Sequence, residues 1–216
     1  MLRLTPKHGA SPLRVLCLGA HSDDIEIGCG GTILRLQEEF PEIEFHWVVF
    51  GATGQRMDEA RASAEAFLAK AARKTIILKE FRNSYFPYLG EQIKEMFEDI
   101  KSSAKPDLIL THYRDDLHQD HRLIAQFTWN AFRDHLILEY EIPKYDGDLG
   151  IPNFFVTLDK PTCDRKTALI LENFPSQANR QWFSEDTFLA LMRLRGIEAN
   201  APTRYAEAFY CRKAVF

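Results

Sequence analysis

The sequence predicts an α/β fold: a Rossmann-like, three-layer α/β/α arrangement with a mainly parallel sheet and an active site at the C-terminal ends of the strands. Three observations predict it. Short apolar runs alternate with amphipathic stretches of helical period over the first 132 residues, the pattern of successive βαβ units. The apolar runs are nearly continuous, as strands covered on both faces require. His and Asp residues crowd into the segments that directly follow those runs, the rim where open parallel sheets bind ligands.

The elements read in order as follows. Residues 14–20 (RVLCLGA) are a short apolar run suited to a buried strand. A glycine-rich turn follows, and then residues 32–39 place Ile33, Leu36 and Phe40 on one helical face, closed by Pro41. Residues 44–50 form a second strand. Residues 57–72 are Ala-rich, with Ala60, Ala64, Phe67 and Leu68 at helical spacing. Residues 75–78 are a third strand, and residues 93–101 a helix that aligns Ile93, Phe97 and Ile100. Residues 106–111 are a fourth strand, followed by a helix over 123–132 with Leu123, Phe127 and Ala131 aligned. After Leu136 the pattern loosens, and residues 146–150 and Pro152 mark turns. Residues 153–158 suit a further strand, 165–173 and 184–195 are helical, and 206–210 a last short strand; Gly196 is expected to stop the second of those helices. No repeat, low-complexity tract or linker divides the chain, so residues 1–216 read as one domain.

Composition narrows the function classes. The 216 residues carry 27 Lys and Arg against 31 Asp and Glu, a formal net charge of −4, which gives no footprint for nucleic acid. No apolar run approaches the ~18 residues of a membrane span, and residues 1–13 lack the apolar core of a signal peptide. The four cysteines are isolated, Cys17, Cys29, Cys163 and Cys211, with no C-x-x-C pair; buried free thiols and a reducing cytoplasm are expected.

The chemistry gathers after three strands. Residues 20–26 (AHSDDIE) follow the first, 51–56 (GATGQR) the second, and 112–122 (HYRDDLHQDHR) the fourth. Four of the seven histidines, His21, His112, His118 and His121, lie in two of these segments. Imidazole with carboxylate suits Zn²⁺, and a catalytic zinc typically takes three protein ligands and leaves one position open. His21 with Asp23 or Asp24 can supply two ligands from one turn, and His118 or His121 the third. Residues 28–31 (GCGG) lack both the G-x-G-x-x-G fingerprint and the P-loop ending, and carboxylates beside them would repel a phosphate. Close backbone packing at the helix entry is the better reading of those glycines.

Residues 20–31 (AHSDDIEIGCGG) resemble the first signature of the PIG-L/LmbE-like deacetylases, and residues 118–121 (HQDH) resemble the second, H-x-D-H. The resemblance covers roughly the first 130 residues. It implies a Zn²⁺-dependent hydrolase that removes acetyl from an N-acetylglucosamine-type sugar or glycoconjugate. Carried over position by position, it makes His21, Asp24 and His121 the metal ligands and Asp23 the general base. It makes His118 the group that stabilises the oxyanion or protonates the leaving nitrogen. Arg56 falls where the family has an Arg near the site, although Gln55 stands where relatives often carry Glu. Fe²⁺, Co²⁺ and Mn²⁺ suit the same donors. Relatives are often oligomeric, which makes a homo-oligomer an expectation of the resemblance.

Other residues admit two readings. Asp120 either orients His118 or His121 through the second ring nitrogen or caps the following helix. His112 reads as structural or substrate-facing, and Asp115 and Asp116 as solvated loop residues. Tyr85, Phe86 and Tyr88 either stack on a sugar or pack their loop, with Tyr88 the candidate for substrate. Beyond residue 130 only fragments resemble the family, residues 176–177 (SQ) and 205–209 (YAEAF), and these imply that Gln177, Tyr205 and Glu207 reach the site from the C-terminal part, Gln177 as a substrate contact. Two other classes compete with the deacetylase: a non-catalytic sugar- or nucleotide-binding module with a degenerate site, and a metal-dependent amidase on a different conjugate.

Overall fold

A computed structural model describes residues 12–215. Apart from Pro12 and Leu13, the N-terminal stretch read for a leader lies outside the described residues. Seven strands form one sheet in the order β3-β2-β1-β4-β5-β7-β6. They are β1 (Arg14–His21), β2 (Glu44–Gly51), β3 (Arg73–Leu78), β4 (Leu108–His112), β5 (Leu136–Tyr140), β6 (Phe154–Leu158) and β7 (Tyr205–Cys211). The first five in that order are parallel; β7 runs antiparallel to both β5 and β6. The helices are α1 (Asp24–Glu39), α2 (Gln55–Phe67), α3 (Gly90–Ala104), α4 (Gln119–Ala131), α5 (Lys160–Asn173) and α6 (Glu185–Glu198).

Strand periodicity makes the layers. In β1, Val15 and Cys17 face one side with Phe45, Trp47 and Val49 of β2, and there they meet Ile33 of α1, Ala60 and Ala64 of α2 and Ile170 of α5. Leu16, Leu18 and Ala20 face the other side with Val48 and Phe50, against Ile93, Phe97 and Ile100 of α3 and Ile124 of α4. Both faces are therefore dry, as the continuous apolar runs predict. Strand order reverses between β1 and β4, so their carboxyl ends, His21 and His112, border the crevice where such folds bind ligands.

Three expectations need correction. The helix expected from residue 32 begins at Asp24 and passes through the glycines, with only Cys29 out of helical geometry (φ −145°, ψ 16°). The glycines let other side chains touch the helix: a Cβ on Gly28 would strike the Tyr140 ring, and one on Gly30 the Phe67 ring. The kink at Cys29 frees backbone groups, and distant residues take them up. Glu207 accepts the N–H of Gly31 (2.8 Å) and Thr32 (2.6 Å), while Lys166 Nζ donates to the Ile27 carbonyl (2.7 Å) and to Glu207 (2.7 Å). Glu207 thus serves α1. Tyr205, at the start of β7, pairs with Leu158 of β6 and packs against the small cluster of Leu158, Cys163 and Met192, which holds none of the His/Asp residues.

The second correction is β5, which lies where the pattern seemed to loosen. It is a central strand with a buried acid: Glu139 is bonded by the Arg114 N–H (3.0 Å) and the Trp129 indole. Third, Gly196 does not stop α6. It lies inside the helix, where a Cβ would meet the Arg204 backbone, and the chain turns later at Asn200 (φ 46°).

Candidate metal centre

The crevice between β1 and β4 gathers the two His/Asp clusters. His21 ends β1, and its N–H donates to Asp24 Oδ2 (2.6 Å) in the first turn of α1. From the other side, His118 caps α4: its Nδ1 accepts the Asp120 N–H (3.2 Å). His121, in the first turn of that helix, meets His21 at the end of β1. Three ligand-capable atoms converge: His21 Nδ1 to His121 Nε2 is 3.1 Å, His21 Nδ1 to Asp24 Oδ2 is 3.3 Å, and His121 Nε2 to Asp24 Oδ2 is 3.5 Å. A tetrahedral ion with bonds of ~2.0–2.1 Å separates its ligand atoms by ~3.3 Å. These spacings and this imidazole–carboxylate donor set fit such an ion.

Both imidazoles are oriented from behind. His121 Nδ1 lies 3.0 Å from Asp116 Oδ2, and His21 Nε2 3.1 Å from Asp120 Oδ2. Asp120 also accepts the N–H of Ser84 (2.6 Å) and Phe86 (3.2 Å). Asp120 therefore neither caps α4 nor orients His118 or His121; its imidazole partner is His21. Asp116, read as a solvated loop residue, is 2% exposed and buried against His121. His112 is fully buried: its Nε2 accepts the Ala20 N–H (2.9 Å), lies 3.1 Å from Asp24 Oδ2, and its ring stacks on His121 at 3.9 Å. His112, Asp24 and His121 also form a cluster of close ligand-capable atoms, as do His21, His118 and His121.

Electrostatics separates the two adjacent aspartates. Burial opposes ionisation of Asp24, but the imidazoles of His121, His21 and His112 outweigh it and hold its carboxyl well below the usual range. Burial raises Asp23, and Arg56 at 2.8 Å only partly offsets this. Burial pulls His21 down, yet Asp24 and Asp120 hold it up at about 10. His121 is pushed down to about 3 by burial and by His112. A neutral His121 keeps a lone pair on Nε2, facing the other two donors.

Arg56 belongs to a chain of contacts. It pairs with Asp23 and with Glu59 (3.2 Å) and lies over the Phe174 ring, 5.2 Å from its centroid. Glu59 accepts the N–H (2.8 Å) and hydroxyl (2.6 Å) of Ser176, whose Oγ is bonded by the half-buried Gln177 (3.1 Å). Gln177 thus borders the Arg56 side. Tyr88 does not join the His/Asp cluster: it is 81% exposed beside Tyr85, whereas Phe86 of the same loop is buried 6.0 Å from the His21 ring. Sequence reading undervalued Asp116 and His112, whose only signal was proximity to the two motifs.

Comparisons with known proteins place the chain among relatives named deacetylases. The family model described as PIG-L, GlcNAc-PI de-N-acetylase, matches residues 16–132. The uncharacterised deacetylase YaiS of Escherichia coli K12 is 30% identical over 136 residues, covering 60% of this chain and 74% of that protein. Diacetylchitobiose deacetylase of Thermococcus kodakarensis is 28% identical over 110 residues, 45% of this chain and 39% of that longer protein. Among solved structures, the 4-carboxy-2-hydroxymuconate hydratase GalB of Pseudomonas putida KT2440 superposes with a TM-score of 0.73 at 16% identity, covering 94% of this chain and 98% of that one.

Proposed function

This chain belongs to the PIG-L family of de-N-acetylases, and from that premise we propose that it hydrolyses the N-acetyl group of an N-acetylglucosamine-type sugar or glycoconjugate. A divalent ion, Zn²⁺ by the donor set, would be held by His21, Asp24 and His121. The observation that carries the reading is the convergence of Nδ1, Oδ2 and Nε2 of these residues within 3.1–3.5 Å of one another. When bound, such an ion polarises an amide carbonyl and lowers the pKa of water to ~7.

The chain's own groups divide the remaining work. Asp23 sits beside the ligand set, with Oδ1 held by Arg56. Its other oxygen takes the proton from water as the oxygen–carbon bond forms. His118 Nδ1 accepts a backbone N–H, so the ring proton of the neutral imidazole lies on Nε2. Burial and the nearby His21 hold the His118 pKa down, which keeps it neutral and suits it to donate a hydrogen bond to the developing oxyanion. Asp23 then returns its proton to the amine nitrogen as the C–N bond breaks, releasing acetate and the free amine. Arg56 keeps Asp23 aimed and partly offsets the burial that raises its pKa, and Gln177 borders the substrate's side.

The test is metal analysis of the purified protein and acetate release across free, disaccharide, lipid-linked and glycopeptide N-acetyl sugars. Stoichiometric metal with release from at least one class is expected. Protein that binds no divalent ion and is inert across the panel refutes the reading. The hydratase on the same fold motivates one added arm: unsaturated carboxylic acids, whose hydration in place of acetate release would favour that chemistry.

A further inference from the structure

The loop that leads into α4, with His118 at its end and His121 in the first helical turn, is fastened by a segment that no signature includes. Lys144 lies between β5 and β6 and uses all three ammonium donors: Asp116 Oδ2 at 2.8 Å, Asp148 Oδ1 at 2.7 Å and the Ile142 carbonyl at 3.3 Å. The side chains of Lys144, Asp116 and Asp148 are 13%, 2% and 7% exposed. Each carboxylate spends its remaining capacity on the catalytic loop. Asp116 Oδ1 accepts the His118 N–H (2.7 Å) and its Oδ2 faces His121 Nδ1; Asp148 Oδ2 accepts the Leu117 N–H (2.8 Å).

We propose that residues 142–149 form a strap over the catalytic loop and that Lys144 is its positioning residue. One ammonium between two nearly dry carboxylates sets the rotamer of Asp116, and through it the backbone of His118 and the ring of His121. Lys144 touches none of the reacting atoms. Without it, two carboxylates at close quarters repel, Asp116 turns away, and the loop loses its anchors at Leu117 and His118. The exchange behaviour of the loop follows from this geometry alone; the effect on metal and turnover rests on the deacetylase reading.

Lys144→Met and Asp148→Asn separate these layers, with Lys144→Arg as the conservative control. Hydrogen exchange is followed in the peptide covering residues 113–122 and in α3 as a reference. Loss of a charge-assisted anchor is expected to speed exchange in 113–122 about 10- to 100-fold in Lys144→Met, with α3 unchanged and partial recovery in Lys144→Arg. Co²⁺ affinity is expected to fall about 10- to 100-fold, with kcat reduced more than KM. Removing a positive charge by itself favours cation binding, so weaker Co²⁺ binding reports a displaced His121 and not a charge effect. Unchanged protection of 113–122 in both Lys144→Met and Asp148→Asn overturns the strap. Faster exchange with unaltered Co²⁺ affinity and turnover overturns the positioning role. A parent protein that binds no divalent ion counts against the deacetylase reading, while the exchange data still decide the strap.

Discussion

Asp120→Asn is a sharp test of how the metal centre is built. The carboxylate is fully buried and holds three donors: Ser84 N–H at 2.6 Å and His21 Nε2 at 3.1 Å on Oδ2, and Phe86 N–H at 3.2 Å on Oδ1. An asparagine has the same shape but one acceptor oxygen. With that oxygen at the Oδ2 position, its amide faces the Phe86 N–H, donor against donor. Burial works against ionised Asp120, yet His21 and the two backbone amides hold its pKa below the usual value, so the folded state favours the charge. One lost charge-assisted bond, and two weakened to neutral ones, amount to about 3 kcal/mol. For a domain of this size, that lowers the melting midpoint by about 6–12 °C. Thermal melts at pH 7 with chelator present measure it without reference to bound metal. A midpoint within ~1 °C of the parent would refute the claim that this carboxylate anchors both His21 and the 84–86 loop.

Four further outcomes follow from the same coordinates. Asp23→Asn should retain divalent-ion binding and lose turnover, whereas His121→Ala should lose both; equal metal loss, read by elemental analysis, would contradict the division of roles. Gly28→Ala places a Cβ against the Tyr140 ring, 2.6 Å from Cγ and 2.8 Å from Cε2, and should cost about 1–3 kcal/mol despite the better helix propensity of alanine; denaturant titration showing equal or greater stability speaks against tight packing there. Burial raises the Glu26 carboxyl to about 8, far above its unfolded value near 4.5, so the folded state holds the extra proton. Glu26's own contribution to stability should therefore fall by about 1.4 kcal/mol per pH unit between those values as pH rises, read in chelator as the difference in slope between the parent and Glu26→Gln. Burial raises all four thiols, but Cys17, Cys29 and Cys163 are buried whereas Cys211 is only half-buried. A thiol reagent should label Cys211 in the native protein and the other three only on unfolding; fast native labelling of Cys17 would show that the core opens.

The strands and helices legible in the sequence were those whose partners are generic. Any apolar face can cover β1 or β2, so continuous runs suffice to identify them. The candidate centre was legible for a similar reason. His21, Asp23 and Asp24 are neighbours in one turn, His118 and His121 in another, and the resemblance supplied their order of use. Beyond the resemblance, adjacency alone could not tell Asp23 from Asp24. In the structure they differ: Asp24 turns to three imidazoles and Asp23 to Arg56. β5 escaped notice because Glu139 breaks its apolar run, and that acid is tolerated only through the Trp129 indole and the Arg114 amide. Glu207, offered for the site by a fragment of the resemblance, serves the kink in α1, and Tyr88 lies exposed outside the His/Asp cluster.

By itself the sequence determined the α/β alternation, the rim on which the chemistry lies and the residue types that suit a cation, because periodicity and local spacing are properties of neighbours along the chain. The tertiary structure decided which of those residues meet. The helix that runs through Gly28–Gly31 relies on Glu207, 176 residues from Gly31. His21 meets His121 across 100 residues, and Lys144 reaches Asp116 from the far side of β5. Hydrogen bonds and ion pairs act only within about 3–4 Å, so such pairings exist only once the sheet has brought its strand ends together.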